Sequence, residues 1–259
     1  MLNGFKLRKI YHVGYCIGRG SLSQKSQGWD KMRYHARVFL LEHPEKGLVL
    51  IDTGYGKAFL KEIKKGFGFL YNLMLKVIYD PKRSLLQQLK EDGIEKKDLS
   101  YLIITHFHPD HIGALSEFSD VPWIYREDVL KKCMRLSSLS AFKNGFFRKL
   151  VPAVPQKSIC VSEQDFSGSL FGFGSYDVFG DSSLFLIDLP GHSLGQMGVM
   201  IKDLFFIADA AWSLIDLPNK IGLFAQENSK IYRKIYRKII NLPKTIQKIP
   251  THIMERHEK

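Results

Sequence analysis

The sequence predicts an α/β or α+β layered domain with mixed sheets. Three observations carry this: strand-like and helix-like segments alternate, several strands are joined by tight hairpins, and polar groups recur just past strand ends. Residues 37–42, a turn over 43–47 and residues 48–51 read as a hairpin running into Asp52-Thr53-Gly54. Residues 81–92 read as a helix with Leu85, Leu86 and Leu89 on one face, ending near Gly93. Residues 101–104 form a short apolar strand leading straight into a histidine cluster, and 123–125 and 184–187 read as further strands. Residues 199–201 and 204–207 read as a second hairpin around Lys202-Asp203. A helix over 229–240 and a short strand over 246–250 complete the series. No linker rich in Pro, Ser or Gly and no internal repeat divides the chain, so residues 1–259 are read as one domain.

Composition narrows the class. Hydrophobic residues make up 45% of the chain and charged residues 25%, which excludes wholesale disorder. No apolar run approaches the ~18 residues of a membrane span, and the N-terminus lacks the apolar core of a signal peptide. Three widely spaced cysteines, Cys16, Cys133 and Cys160, suggest no disulfide framework and fit a reducing cytoplasm. The net charge of +12 is uneven. Residues 1–40 hold eight Lys/Arg and one acid, and residues 229–248 hold seven Lys/Arg and none, so the remainder is nearly neutral. A basic surface can draw nucleic acid, anionic lipid or an anionic small molecule, or serve only as a solvated face.

The segment Thr105-His106-Phe107-His108-Pro109-Asp110-His111-Ile112-Gly113 concentrates three of the nine histidines beside an aspartate. Imidazole and carboxylate at this density suit a borderline metal such as zinc. The preceding strand holds the backbone rigidly. His106 and His108, two apart in an extended turn, can face one ion, while Asp110 and His111 start the next element and can face a second.

This segment matches the H-x-H-x-D-H signature, and the chain thereby resembles the metallo-β-lactamase fold hydrolases. Further landmarks follow in order. Asp52-Thr53-Gly54 resembles the early D-T-G that supports the ligands from behind. Pro190-Gly191-His192-Ser193-Leu194-Gly195 resembles the P-G-H-T-x-G loop, Asp209 the bridging carboxylate after a hairpin strand, and His252 the terminal histidine. The resemblance implies a four-layer αββα sandwich of two mixed β-sheets flanked by helices. It implies that His106, His108 and His192 hold one divalent ion, that Asp110, His111 and His252 hold a second, and that Asp209 bridges. His252 is preferred over His257 because it follows a predicted strand and Pro250. Zinc is the expected metal, with iron and manganese the alternatives.

The implied chemistry is hydrolysis of an ester, lactone or thioester by a hydroxide shared between two cations, with Asp110 or Asp209 relaying the proton. Superfamily β-lactamases carry Cys or Ser where this chain has Asp209, which speaks against antibiotic hydrolysis. The lactonase-like branch, including N-acyl-homoserine lactonases, is most similar. Its members carry a substrate-contacting Tyr where Trp212 stands here, and an indole N–H donates but does not readily give up its proton. The apolar stretch 66–75, with Phe67 and Phe69, reads either as a lid over an acyl chain or as a buried helix. Phe171-Gly172-Phe173-Gly174 reads as a hairpin turn, with a pocket wall as the alternative. The expected partner is a small, acyl-bearing or anionic substrate.

The rival is a metal-dependent phosphodiesterase or nuclease. On the 229–240 helix, Ile231, Ile235 and Ile239 form a stripe, with Tyr232 and Tyr236 beside it among Lys230, Arg233, Lys234, Arg237 and Lys238. Tyrosines among cations can grip a single strand, whereas a solvated basic face is the plainer reading. An iron-dependent oxygenase relative is a third class.

Overall fold

Strands β1 (Lys6–Arg19), β2 (Lys31–His43) and β3 (Gly47–Ile51) open the chain. The pleat of β2 sends Ala36, Val38 and Leu40 to one side and Phe39 and Leu41 to the other, and all five are buried. A strand apolar on both faces has to be covered on both. The computed structural model describes residues 4–22, 28–212, 214 and 227–257 and shows how this is done.

The first sheet adds β4 (Lys76–Ile78), β5 (Leu99–Ile103), β6 (Trp123–Arg126) and β7 (Ile159–Val161) in the order β4-β1-β2-β3-β5-β6-β7. The β3, β5, β6 and β7 pairings are parallel and the others antiparallel. The second sheet contains β8 (Gly168–Leu170), β9 (Phe173–Asp177), β10 (Phe185–Asp188), β11 (Met197–Ile201), β12 (Leu204–Ala208) and β13 (Gln247–Pro250). It is antiparallel except between β12 and β13. Strand β14 (Met254–Arg256) returns to pair with β2.

Three cores define four layers. Phe39, Val49, Ile51 and Ile103 meet Leu186, Val199, Ile201 and Phe206 between the sheets. The outer face of the first sheet packs on α1 (Lys57–Glu62), α2 (Gly66–Met74), α3 (Leu85–Glu91), α4 (Pro109–Ile112), α5 (Glu127–Arg135) and α6 (Ser138–Lys143). The outer face of the second packs on α7 (Ser229–Ile240) through Leu189, Phe205 and Ile207. The architecture is the αββα sandwich that the sequence implies.

Local differences have local causes. The 81–92 segment divides at Ser84, whose hydroxyl caps α3 by accepting from the Gln87 N–H, so Leu85 and Leu89 are buried and Leu86 only partly. On α7 the buried stripe is rotated: Tyr232 and Tyr236 join Ile235 and Ile239 in the core, and Ile231 is exposed. The Gly191 backbone lies against Tyr232, leaving no room there for a β-carbon. Those tyrosines are not on the surface where a nucleic acid would stack. Phe171 and Gly172 turn β8 into β9 with positive φ at both positions, as a tight hairpin needs. No helix among the described residues is long and apolar enough to cross a membrane.

Candidate metal centre

All the signature side chains converge at one end of the sandwich, where strands of both sheets stop. Strand β3 delivers Asp52, and β5 delivers Thr105, His106 and His108 before α4 begins with Pro109 at its first turn. The β10–β11 loop brings His192, β12 brings Asp209, and β13 brings His252. Asp52 sits in the left-handed region at φ 63°, which turns its carboxylate back beneath the 105–111 loop. The Met197 N–H donates to the Thr105 carbonyl at 2.9 Å, tying the second sheet to that loop.

Two groups result. His106, His108 and His192 form one; Asp110, His111, Asp209 and His252 form the other. Within each, one ligand atom per residue lies within 4.8 Å of the rest. Asp209 joins them: its Oδ2 is 3.0 Å from His252 Nε2 and 3.4 Å from His192 Nε2, and its Oδ1 is 3.3 Å from His111 Nε2. Six of the seven side chains are under 10% exposed.

Hydrogen bonds behind the rings fix which nitrogen faces inward. A carboxylate only accepts, so His111 Nδ1–H donates to Asp52 Oδ2 at 2.7 Å and turns its Nε2 toward Asp209. His252 Nδ1–H donates likewise to the His35 carbonyl at 2.9 Å. Thr105 Oγ1 donates to Asp52 at 2.8 Å, so it accepts from His106 Nδ1 at 3.2 Å. Asp52 therefore orients one imidazole directly and another through Thr105.

The two groups differ electrically. Burial and the neighbouring rings of His111 and His108 hold His106 well below the usual imidazole range, and burial with His192 lowers His108 to about 3. These are neutral nitrogen donors. In the other group, burial alone would raise both carboxyls, but His111 and His252 outweigh it and hold Asp110 and Asp209 low. The same carboxylates raise His111 and His252 against their burial. His106 Nε2, His111 Nε2 and Asp209 Oδ1 are buried and have no hydrogen-bond partner among the described residues. Borderline divalent cations take such N and O donors, so the residues fit two ions.

Above the groups lies a cavity of 320 Å³ lined by Tyr34, Tyr71, Met74, Leu75, Phe142 and Trp212, with Lys143 and Glu227 among its polar members. Trp212 Nε1–H donates to Asp209 Oδ2 at 2.9 Å. The 66–74 helix is neither wholly buried nor a detached flap. Its cavity residues are Tyr71 and Met74, followed by Leu75, and not Phe67 and Phe69. Phe67 stacks behind on Phe142 at 4.9 Å, and Phe69 is on the opposite, exposed face. His257 lies outside both groups, with its Nδ1 accepting from Arg33 Nε.

One contact escapes sequence reasoning. Gly145 has φ 62°, and a β-carbon there would lie 2.7 Å from His108 Cδ2. Asn144-Gly145 signals a turn, but not the ring behind it. Gly145→Ala is expected to displace His108 and to weaken the first metal by about 10- to 100-fold, the range seen when a ligand's support is lost. Chelator-competition titration measures it; unchanged affinity would show that the ring tolerates the methyl group.

Residues 33–246 match the Metallo-beta-lactamase superfamily. An N-acyl homoserine lactonase AttM of Rhizobium radiobacter is 25% identical over 183 residues, covering 68% of this chain and 65% of its own length. The chain thus spans just under two thirds of the first such relatives. An N-acyl homoserine lactonase of Bacillus cereus is 30% identical over 210 residues, covering 76% of this chain and 71% of its own. Among solved structures, an N-acyl homoserine lactone hydrolase holding N-hexanoyl-L-homoserine at its catalytic metal centre superposes with TM-score 0.72 at 19% identity. That superposition covers 95% of this chain and 92% of the other. AidC, a dizinc quorum-quenching lactonase, gives 0.62 at 17% identity, covering 96% and 90%. These structural likenesses concern the fold. Since the family match runs through 214 of the 259 residues and spans six of the seven converging side chains, the chain belongs to the metallo-β-lactamase superfamily.

Proposed function

We propose that the chain is a dinuclear metal-dependent hydrolase that cleaves an ester, lactone or thioester of a small acyl-bearing substrate. The observation that carries this is the adjacency of the two donor groups, joined by Asp209, at the floor of an apolar cavity. His106, His108 and His192 would hold one ion, Asp110, His111 and His252 the other, with Asp209 between. Zinc suits this donor set best, with iron and manganese as alternatives. When bound, two such cations supply Lewis acidity toward a carbonyl and lower the pKa of water toward ~7.

The chain's own residues do the rest. Asp110, the most accessible member of its group, takes and returns a proton at the cavity floor, or Asp209 does so. The indole of Trp212 holds Asp209 Oδ2 and closes one wall, where it contacts substrate. Tyr71, Met74, Leu75 and Phe142 exclude water and receive the acyl part, while exposed Lys143 favours an anionic group. The Cys16 thiol lines the same cavity, but burial and Asp110 push it up to about 12, so it does not serve as a nucleophile. Similarity to N-acyl homoserine lactonases favours lactones among the candidates. With three free cysteines, a reducing cytoplasm suits the chain.

The test is a panel of esters, lactones, thioesters and a phosphodiester presented to metal-analysed protein. Two metal equivalents with turnover of a carboxylic ester, lactone or thioester is the expected result. Two equivalents with none of these turned over would remove the reading, and preference for the phosphodiester would replace it with the nuclease class.

A further inference from the structure

Apart from Asn72, whose side chain accepts from the Val77 N–H, and the Tyr71 hydroxyl, the side chains of helix α2 are apolar, yet only half of the helix is covered. Helical spacing puts Phe67, Gly68, Tyr71 and Leu75 on one side and Phe69, Leu70, Leu73 and Met74 on the other. The first side is anchored. Phe67 stacks on Phe142, Tyr71 meets Phe59 and Phe147 edge-on, and Gly68 lies so close to the Glu62 carbonyl that no β-carbon fits. The second side faces outward: Phe69, Leu70, Leu73 and Met74 are 49, 45, 67 and 44% exposed. A helix with an apolar outer face needs something to cover it.

The surrounding charge says what. Residues 57–76 contain five lysines, Lys57, Lys61, Lys64, Lys65 and Lys76, and one acid. The acid, Glu62, is engaged by Lys149 at 3.5 Å. Those five lysines are exposed and form no ion pair among the described residues. A short apolar ridge with ammonium groups at both ends is complementary to an anionic bilayer, where apolar side chains enter the headgroup boundary and lysines meet the lipid charge. Met74 belongs both to the ridge and to the cavity lining, so the ridge adjoins the cavity.

We infer that the outer face of α2 is a membrane-docking surface that seats the chain on an anionic lipid bilayer beside its cavity. This goes beyond the hydrolase reading and does not depend on it. The basic helix α7 is not the docking element, because its tyrosines point inward and its outer face presents Ile231 alone among large exposed hydrophobics.

The test is flotation of the full chain with phosphatidylcholine vesicles, with and without phosphatidylglycerol, and with light scattering in solution. The expected result is flotation with the anionic vesicles only, reversed by high salt. The double change Leu70→Glu/Leu73→Glu should weaken it on the order of tenfold or more, as should Lys64→Glu/Lys65→Glu. All four positions are exposed, so metal content and thermal melting should match the parent. Lys234→Glu/Lys238→Glu on α7 should change binding by less than about twofold. Three outcomes would overturn the inference: no flotation with anionic vesicles, equal loss in the α7 variant, or a dimer that Leu70→Glu/Leu73→Glu dissociates. The last would assign the ridge to a second copy of the chain.

Discussion

Replacing Asp209 with alanine is expected to abolish tight binding of the second metal and to lower hydrolysis by on the order of 10³-fold, the loss of about 4 kcal/mol of transition-state stabilisation. Asp209 approaches His111, His192 and His252 within 3.4 Å, so its removal touches both donor groups together. It also takes away the charge that raises His111 and His252. Imidazoles that lose a carboxylate become weaker bases and poorer ligands, which compounds the missing donor. Metal analysis beside kcat/KM reads both effects. Retention of two equivalents with near-parent turnover would show that Asp209 does not bridge.

Removing Asp52 should act without touching a metal directly. Its carboxylate accepts from the Thr105 N–H at 2.9 Å, from Thr105 Oγ1–H and from His111 Nδ1–H, and is 1% exposed. Asp52→Ala strands three buried donors in a left-handed backbone position that alanine tolerates poorly, at a cost of about 3–5 kcal/mol. Asp52→Asn separates folding from chemistry. Asparagine accepts the left-handed conformation and can still take the Thr105 N–H, but it can also present an NH2 group to His111. The His111 proton then moves to Nε2, where the lone pair is needed. Asp52→Asn should therefore melt close to the parent yet bind the second metal about 10- to 100-fold more weakly. Thermal melts with chelator titrations decide; equal metal affinity in both proteins would contradict the tautomer argument.

Legibility in the sequence followed the range of the interactions. The 105–111 segment could be read because one strand end and one helical turn place most of a ligand set within a few residues. The β2–β3 and β11–β12 hairpins could be read because apolar runs there are separated by recognisable turns. Strand β1 escaped because register shifts between Leu7 and Lys9 and between His12 and Tyr15 break its alternation. The rotation of α7 escaped because Tyr232, Ile235, Tyr236 and Ile239 make as regular a helical stripe as Ile231, Ile235 and Ile239, and only packing against the second sheet decides between them. Thr105 and Gly145 escaped as supports for His106 and His108, since each acts on a neighbour that only the fold supplies. For the same reason, the apolar character of 66–75 was visible, while its division into an inner and an outer face required α1 and α6.

The seam between the sheets has a further consequence. His106, His108, Asp110 and His111 hang from the first sheet, and His192, Asp209 and His252 from the second. The Arg37 side chain of β2 donates to the carbonyls of Pro250 and Thr251, and the His35 carbonyl holds His252, so the same edge is already stitched. Any ion gripping both sets acts as a clasp across the sandwich, and binding at a hundredfold excess over Kd would add about 2.7 kcal/mol to the folded state. On the hydrolase reading, metal supply would then set the stability of the folded chain as well as its turnover.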